Sequence, residues 1–213
     1  MAEVGGVKDP VEKQVAGING LISKEWILIR IGPPALVVLI SFLCYGANLS
    51  HELVGDDLVL IPKQKAFHNP TDLQAILSST IWGEIHERQP IYRPLVTWTL
   101  ALNHGVNRLL GFPVGYHLVN VLLHTVAACL VLRFFLSKGF PILAGLSAGL
   151  LFAAHPIHTE AVCLVTNRSE MLGAVFGLLF LIAHMRRRWY GCPYQFLALV
   201  SKESVIAVLP LAI

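Results

Sequence analysis

The chain has 213 residues, of which 55% are hydrophobic and 14% charged, with a net charge of +3. A soluble domain of this size carries roughly 25% charged residues. This composition therefore excludes an ordinary soluble enzyme and indicates a multi-pass membrane protein, with the lipid bilayer as its first partner and no nucleic-acid partner.

Residues 1–30 read as a cytoplasmic N-terminal tail, and 31–213 as a multi-pass membrane domain. The first run, Ile31–Leu49, is uncharged and of spanning length. It has Pro33 and Pro34 in its first turn, where a missing donor costs least. The polar stretch before it is long for a signal peptide, so the run reads as a retained anchor. Residues 50–92 then form the first external loop, where Glu52, Asp56, Asp57, Asp72, Glu84 and Glu87 gather. In that loop Pro70-Thr71-Asp72 signals a helix start, with Thr71 or Asp72 as cap. Leu73, Ile76, Leu77 and Ile81 recur at helical spacing, as in an amphipathic helix lying along the membrane interface, and Trp82 and Tyr92 suit the same depth.

Residues 93–111 predict a partly buried helix with Leu95, Trp98, Leu102, Val106, Leu109 and Leu110 on one face. Gly115–Leu136 is the second span, Ile142–Ala154 a short third and Met171–Met185 the fourth. Pro156 re-aims the chain, leaving 157–168 as a turn at the outer surface. Tyr194–Ile213 predicts a fifth span rising outward. Lys8, Lys13, Lys24 and Arg30 precede the first run, Arg133 and Lys138 lie between the second and third, and Arg186, Arg187 and Arg188 follow the fourth. The positive-inside rule then places the N-terminus in the cytoplasm and the acidic loop in a lumen or periplasm. The expected fold is an all-α membrane protein of about five transmembrane helices plus the interfacial helix. The cysteines Cys44, Cys129, Cys163 and Cys192 are far apart, with no CxxC pair, so neither a zinc site nor a disulfide framework is indicated.

The polar residues at the ends of these runs, and inside them, carry the chemistry. Charge is costly in a bilayer and usually has a function there. Asp56 and Asp57 adjoin the first span, where a low dielectric raises a carboxylate pKa toward that of a usable base. Their plainer reading is a solvated acidic loop. Arg93 offers a planar fork for phosphate, or simply snorkels to the interface. His117, Asn120 and His124 form one polar stripe on the second span. Such a stripe hydrogen-bonds between helices, at about 0.6 kcal/mol per contact, or supports a site from behind. His155, His158 and Glu160 are a partial metal set with no third ligand at fixed spacing, so no metal is expected and a pocket-shaping turn is preferred. Arg168 and Glu170 share a helix start and are expected to pair. Lys202 and Glu203 are neighbours in the fifth run and cannot pair well with each other. They should reach other partners, such as Asp56, Asp57 or a phosphate. Asn48-Leu49-Ser50 and Asn167-Arg168-Ser169 match the glycosylation pattern, too near the membrane to be used.

Nine short stretches recur in family order: Cys44-Tyr45-Gly46, Asp56-Asp57, Trp82-Gly83, Tyr92-Arg93-Pro94-Leu95, Leu102-Asn103, His117 to His124, His155 to Val162, Arg168-x-Glu170 and Ser201-Lys202-Glu203. In this the chain resembles the transmembrane and tetratricopeptide-repeat O-mannosyltransferases, which have the C-type glycosyltransferase membrane fold, over about residues 42–210. The resemblance implies part of that fold and a dolichyl or polyprenyl phosphate mannose donor. It implies a Ser or Thr acceptor on a protein, inversion at the anomeric carbon, and Asp56 and Asp57 as the catalytic acidic pair. Arg93, Arg168, Lys202 and Glu203 are then the candidates for holding the phosphate and substrate, and Tyr92, His117, Asn120, His124, His155, His158 and Glu160 for shaping the pocket. No cofactor beyond the lipid-linked donor is expected, and the endoplasmic reticulum is the expected membrane, with a bacterial inner membrane as alternative. The family's further spans and tetratricopeptide repeats are absent from this sequence. The alternative reading is a truncated isoform or non-catalytic subunit retaining the fold as a scaffold, with a membrane partner supplying the missing helices. A proton-relay transporter using His117, His124 and Lys202 ranks last, since no paired halves are found.

Overall fold

The computed structural model describes residues 31–83, 85, 91–185 and 189–212, and every regular element among them is helical. The tail, Glu84, Glu87 and the arginine triplet, which carry much of the orientation argument, lie outside the described residues. Among the described residues, three helices are long and apolar enough to cross a membrane. The first, α1 (31–50), ends in a 3-10 stretch at Gly46–Ser50. The others are α5 (Val114–Ser137) and α8 (Arg168–Met185). A bent pair, α6 (Ile142–Ala154) and the segment Pro156–Cys163 that ends in α7 (Thr159–Cys163), reaches the same length and apolarity only when its two parts are taken together across a bend of 46°, as a broken span or a re-entrant loop does. The bend falls where Pro156 forces His155 into extended backbone and removes a helical donor.

The expected fifth span is not one helix. Tyr194–Ile213 is divided between α9 (Gly191–Leu199) and a 3-10 segment, Glu203–Ala212, with a break at 200–202. Gly191 lies against Phe180 and His184 near the far end of α8, whereas Lys202 lies beside Gly173 near its start. Val205 and then Val208 approach Gly177, so the chain ascends along α8, turns at Lys202 and descends again. The polar pair Lys202-Glu203 sits at the turn, where two charged side chains can leave the apolar layer.

Small residues let the helices approach. A Cβ on Gly149 would lie 3.1 Å from Leu132 Cβ and 3.2 Å from Val37 Cγ2, so α1, α5 and α6 meet at backbone distance. Val37, Ala128, Leu132 and Ala153 complete that core. Gly149→Leu is expected to force these helices apart at a cost of about 1–3 kcal/mol, seen as a lower thermal unfolding midpoint in lipid nanodiscs.

The acidic loop is a folded cap. It contains α2 (Asp57–Lys63), a 3-10 turn at Lys65–Phe67 and α3 (Leu73–Ser78). Leu53, Leu60, Ile61, Phe67 and Ile81 are buried with Val96, Leu100, Tyr116, Val165 and Leu172 of the bundle. The α3 cap is Asp72, whose Oδ1 accepts the Ala75 N–H at 2.9 Å; Thr71 has no such role. The expected apolar stripe splits, because Ile76 and Ile81 face protein while Leu73 and Leu77 face out.

Helix α4 (Pro94–Leu110) lies across the bundle's end. Its start reaches Ser169 on α8 through Arg93, and Asn107 near its finish accepts the Tyr116 N–H on α5. Trp98, Leu102, Val106, Leu109 and Leu110 point outward, whereas Thr97, Asn103 and Asn107 are buried. The polar face turns inward because its partners are there. Val96, Leu100 and Ala101 pack inward beside it, and the second apolar face, with Trp98 and Leu102, is exposed.

Candidate functional site

The polar motifs converge on one short stretch, residues 162–170, at the junction of α7 and α8. Asp57 reaches it from the cap. Its side chain is fully buried, and its two oxygens accept the N–H groups of Val165 at 2.6 Å and Thr166 at 2.8 Å. Burial pushes this carboxyl above its usual range, and the two backbone donors draw it part of the way back. A carboxyl whose native pKa is raised stabilises the fold most at low pH, and that contribution is lost as pH rises through the native value. Asp57→Asn is therefore expected to flatten the fall in unfolding midpoint between acidic and neutral pH, as measured by a thermal series across that range.

Asp56 is its opposite. It precedes α2 with no side-chain capping bond, is exposed, and its carboxylate has no hydrogen-bond or ion-pair partner among the described residues; only its carbonyl is engaged, by the N–H groups of Val59 and Leu60. The two members of the acidic pair thus occupy different environments despite being adjacent in sequence.

Asn120 holds the same stretch from below. Its Nδ2 donates to the carbonyls of Leu164 (2.9 Å) and Val162 (3.3 Å), and its Oδ1 accepts from Arg168 Nε (2.9 Å). Arg168 is 0% exposed. Its guanidinium also donates to Thr99 O (3.1 Å), Asn103 Oδ1 (2.5 Å) and Tyr116 O (3.3 Å). Such a side chain fastens α8 to α4 and α5 and offers no open fork to a phosphate. Nor does it pair with Glu170, which bonds Lys202 instead.

Two ion pairs cross above this knot. Arg93 grips Glu203 with both ends of its fork, Nε to Oε2 at 3.2 Å and the terminal nitrogen to Oε1 at 2.8 Å, and its remaining nitrogen donates to Ser169 Oγ at 3.0 Å. Lys202 pairs with Glu170. The neighbours Lys202 and Glu203 do reach other partners, but these are Glu170 and Arg93 rather than the aspartates. Both cations stay partly accessible, at 15% and 21% side-chain exposure.

The histidine stripe faces inward as its spacing suggests. His117 Nδ1 meets Asn48 Nδ2 at 3.0 Å, and the asparagine of that glycosylation motif is buried there. His124 Nε2 meets Ala153 O at 3.1 Å. His155 Nδ1 accepts the Ile157 N–H at 3.1 Å, and its carbonyl accepts the Tyr45 hydroxyl at 3.0 Å. Tyr92 ties the end of the loop to α3 through Leu77 O at 2.9 Å. His158 and Glu160 line a cleft of about 420 Å³ between α5, the bent α6–α7 pair and α8. Sequence reasoning missed Asn103, Ser169 and Asn167 as members of this network. Their signal was weak: Asn103 is a short polar side chain inside α4, and Asn167 and Ser169 flank the start of α8, all with partners distant in sequence.

No protein-family model matches the chain, and no solved structure matches it. Curated relatives do. A Caenorhabditis elegans protein O-mannosyl-transferase is 32% identical over 84% of this chain and 27% of its own length. The mouse protein O-mannosyl-transferase TMTC3 is 36% identical over 72% of this chain and 17% of its own. A Drosophila melanogaster protein O-mannosyl-transferase, Tmtc2, is 38% identical over 75% and 18%. The chain thus spans about a quarter or less of the length of the curated relatives it matches. On this evidence the chain is a homologue of the TMTC-family protein O-mannosyl-transferases, corresponding to part of their length.

Proposed function

We propose that the chain is a membrane-embedded mannosyltransferase unit that moves mannose from a dolichyl or polyprenyl phosphate carrier to a Ser or Thr hydroxyl of a protein. The observation that carries this reading is the arrangement around residues 162–170. There a buried aspartate fixes the stretch, an exposed aspartate adjoins it in sequence, and two accessible cations stand on the same end of the bundle. In the reaction, Asp56 takes the proton of the acceptor hydroxyl as its oxygen attacks the anomeric carbon. The bond from that carbon to the phosphate oxygen breaks, and the electron pair leaves on the polyprenyl phosphate. The anomeric centre inverts in this single displacement. Arg93 and Lys202 then exchange a carboxylate partner for the phosphate and steady its growing charge. Asp57 acts as a positioning residue, because its oxygens are already committed to backbone donors. The setting proposed is the endoplasmic reticulum membrane, with the N-terminus cytoplasmic and the cap in the lumen.

One observation favours a second reading. Glu203 and Glu170 already balance both cations, as in a scaffold that keeps the fold without catalysis. The test is transfer by the full chain in nanodiscs, given mannosyl-phosphoryl-polyprenol and a Ser/Thr peptide, with the product read by mass spectrometry. Mannosylated peptide with inverted anomeric configuration is expected. A folded chain giving none would leave the scaffold reading in its place.

A further inference from the structure

We infer that the cleft between α5, the bent α6–α7 pair and α8 is the subsite for the donor's hexosyl group, with Glu160 and His158 as the residues that recognise it. This rests on the transferase reading above. The cleft measures about 420 Å³, within the few-hundred-Å³ range of small-ligand sites and roomy for one pyranose ring. Its walls suit a sugar. A pyranose has a flat C–H face and a rim of hydroxyl groups, so it asks for an aromatic surface and for acceptors. Phe152 and His158 have ring centroids 4.3 Å apart, tilted by 37°, and His124 lies against Phe152 at 5.5 Å, nearly parallel. Together they make a ring-lined wall. Glu160 and Asn167 face the same space, and their mutual contact is long, at 3.5 Å, which leaves lone pairs and amide hydrogens for hydroxyls.

Charge decides against the other half of the donor. No lysine or arginine lines this cleft among the described residues. Two carboxylates, from Glu160 and Glu170, would repel a phosphate there yet accept bonds from neutral hydroxyls. The cation stands on the far side of Glu170, where Lys202 opens the neighbouring groove along Gly173 and Gly177. Glu170 thus divides a carboxylate-bearing side from a cation-bearing side. A sugar phosphate laid across that division has its uncharged ring in the cleft and its anion at Lys202.

The test compares two probes of equal chain length, mannosyl-phosphoryl-polyprenol and bare polyprenyl phosphate, binding the full chain in nanodiscs. The wild-type chain is expected to prefer the glycosylated probe by about tenfold, a difference of about 1.4 kcal/mol. Glu160→Gln and His158→Ala should each lose that preference and bind polyprenyl phosphate as before. Glu160 is exposed, so its variant is expected to fold, which the unfolding midpoint checks. Variants that keep the preference overturn the subsite, as does a wild-type chain with none. Phe152→Ala weakening both probes equally overturns it too, by giving the cleft to the isoprenoid chain. A preference without any transfer to peptide would sink the transferase reading alone, whereas transfer with the preference intact in both variants would sink the subsite alone.

Discussion

The Asp56→Asn variant is expected to keep its fold and unfolding midpoint while losing mannosyl transfer by roughly a hundredfold to ten-thousandfold, the range a positioned general base supplies. The Asp56 side chain caps no N–H, is exposed and makes no hydrogen bond or ion pair among the described residues, so replacing it with the isosteric asparagine costs the fold little. Asp57 is committed: both its oxygens hold backbone donors of the 165–166 stretch. An asparagine there can accept one of the two N–H groups but opposes the other with its own donors. Asp57→Asn should therefore lose stability, at about 1.5–3 kcal/mol for a charge-assisted bond, and activity only in step with the folded fraction. Transfer per folded molecule separates the two. If Asp56→Asn transfers normally and Asp57→Asn does not, the roles are reversed and the buried carboxylate must open to act.

Much of this was legible in the sequence, and the misses have physical causes. The long apolar runs of α5 and α8 announce themselves because a bilayer demands unbroken apolar length. His117, Asn120 and His124 could be placed on one inward face because a helix repeats every 3.6 residues and lipid refuses polar groups. The same logic stopped short on α4, where Trp98, Leu102, Val106, Leu109 and Leu110 look outward and Val96, Leu100 and Ala101 join Thr97, Asn103 and Asn107 inside. Periodicity gives a face but not its direction. It also failed on Tyr194–Ile213, since apolar length alone cannot distinguish one span from a hairpin. The partners of charged residues were hidden most deeply. Asp57 bonds residues 108 and 109 positions away, and Arg168 bonds a carbonyl 69 positions away. An arginine at a phosphate and one in a buried amide knot look the same until the acceptors are placed.

Arg168→Leu is expected to be the most damaging single change to the fold. Four acceptors on α4 and α5 converge on this guanidinium, namely Thr99 O, Asn103 Oδ1, Tyr116 O and Asn120 Oδ1. Leucine fills part of the volume and satisfies none of them. Removing one partner from a buried charged cluster costs about 3–5 kcal/mol, comparable to much of a small protein's net stability. Loss should spread, because Asn120 also carries the carbonyls of Val162 and Leu164. When its Oδ1 loses Arg168, the 162–166 stretch loses the support that presents its N–H groups to Asp57. Arg168→Lys should recover only part, since an ammonium has three donors and no planar fork to span Asn103 and Asn120 together. Thermal unfolding in nanodiscs, with limited proteolysis to register opening near residue 165, reads both effects. An Arg168→Leu chain with a wild-type midpoint and abolished polyprenyl phosphate binding would restore this arginine to the phosphate and remove it from the scaffold.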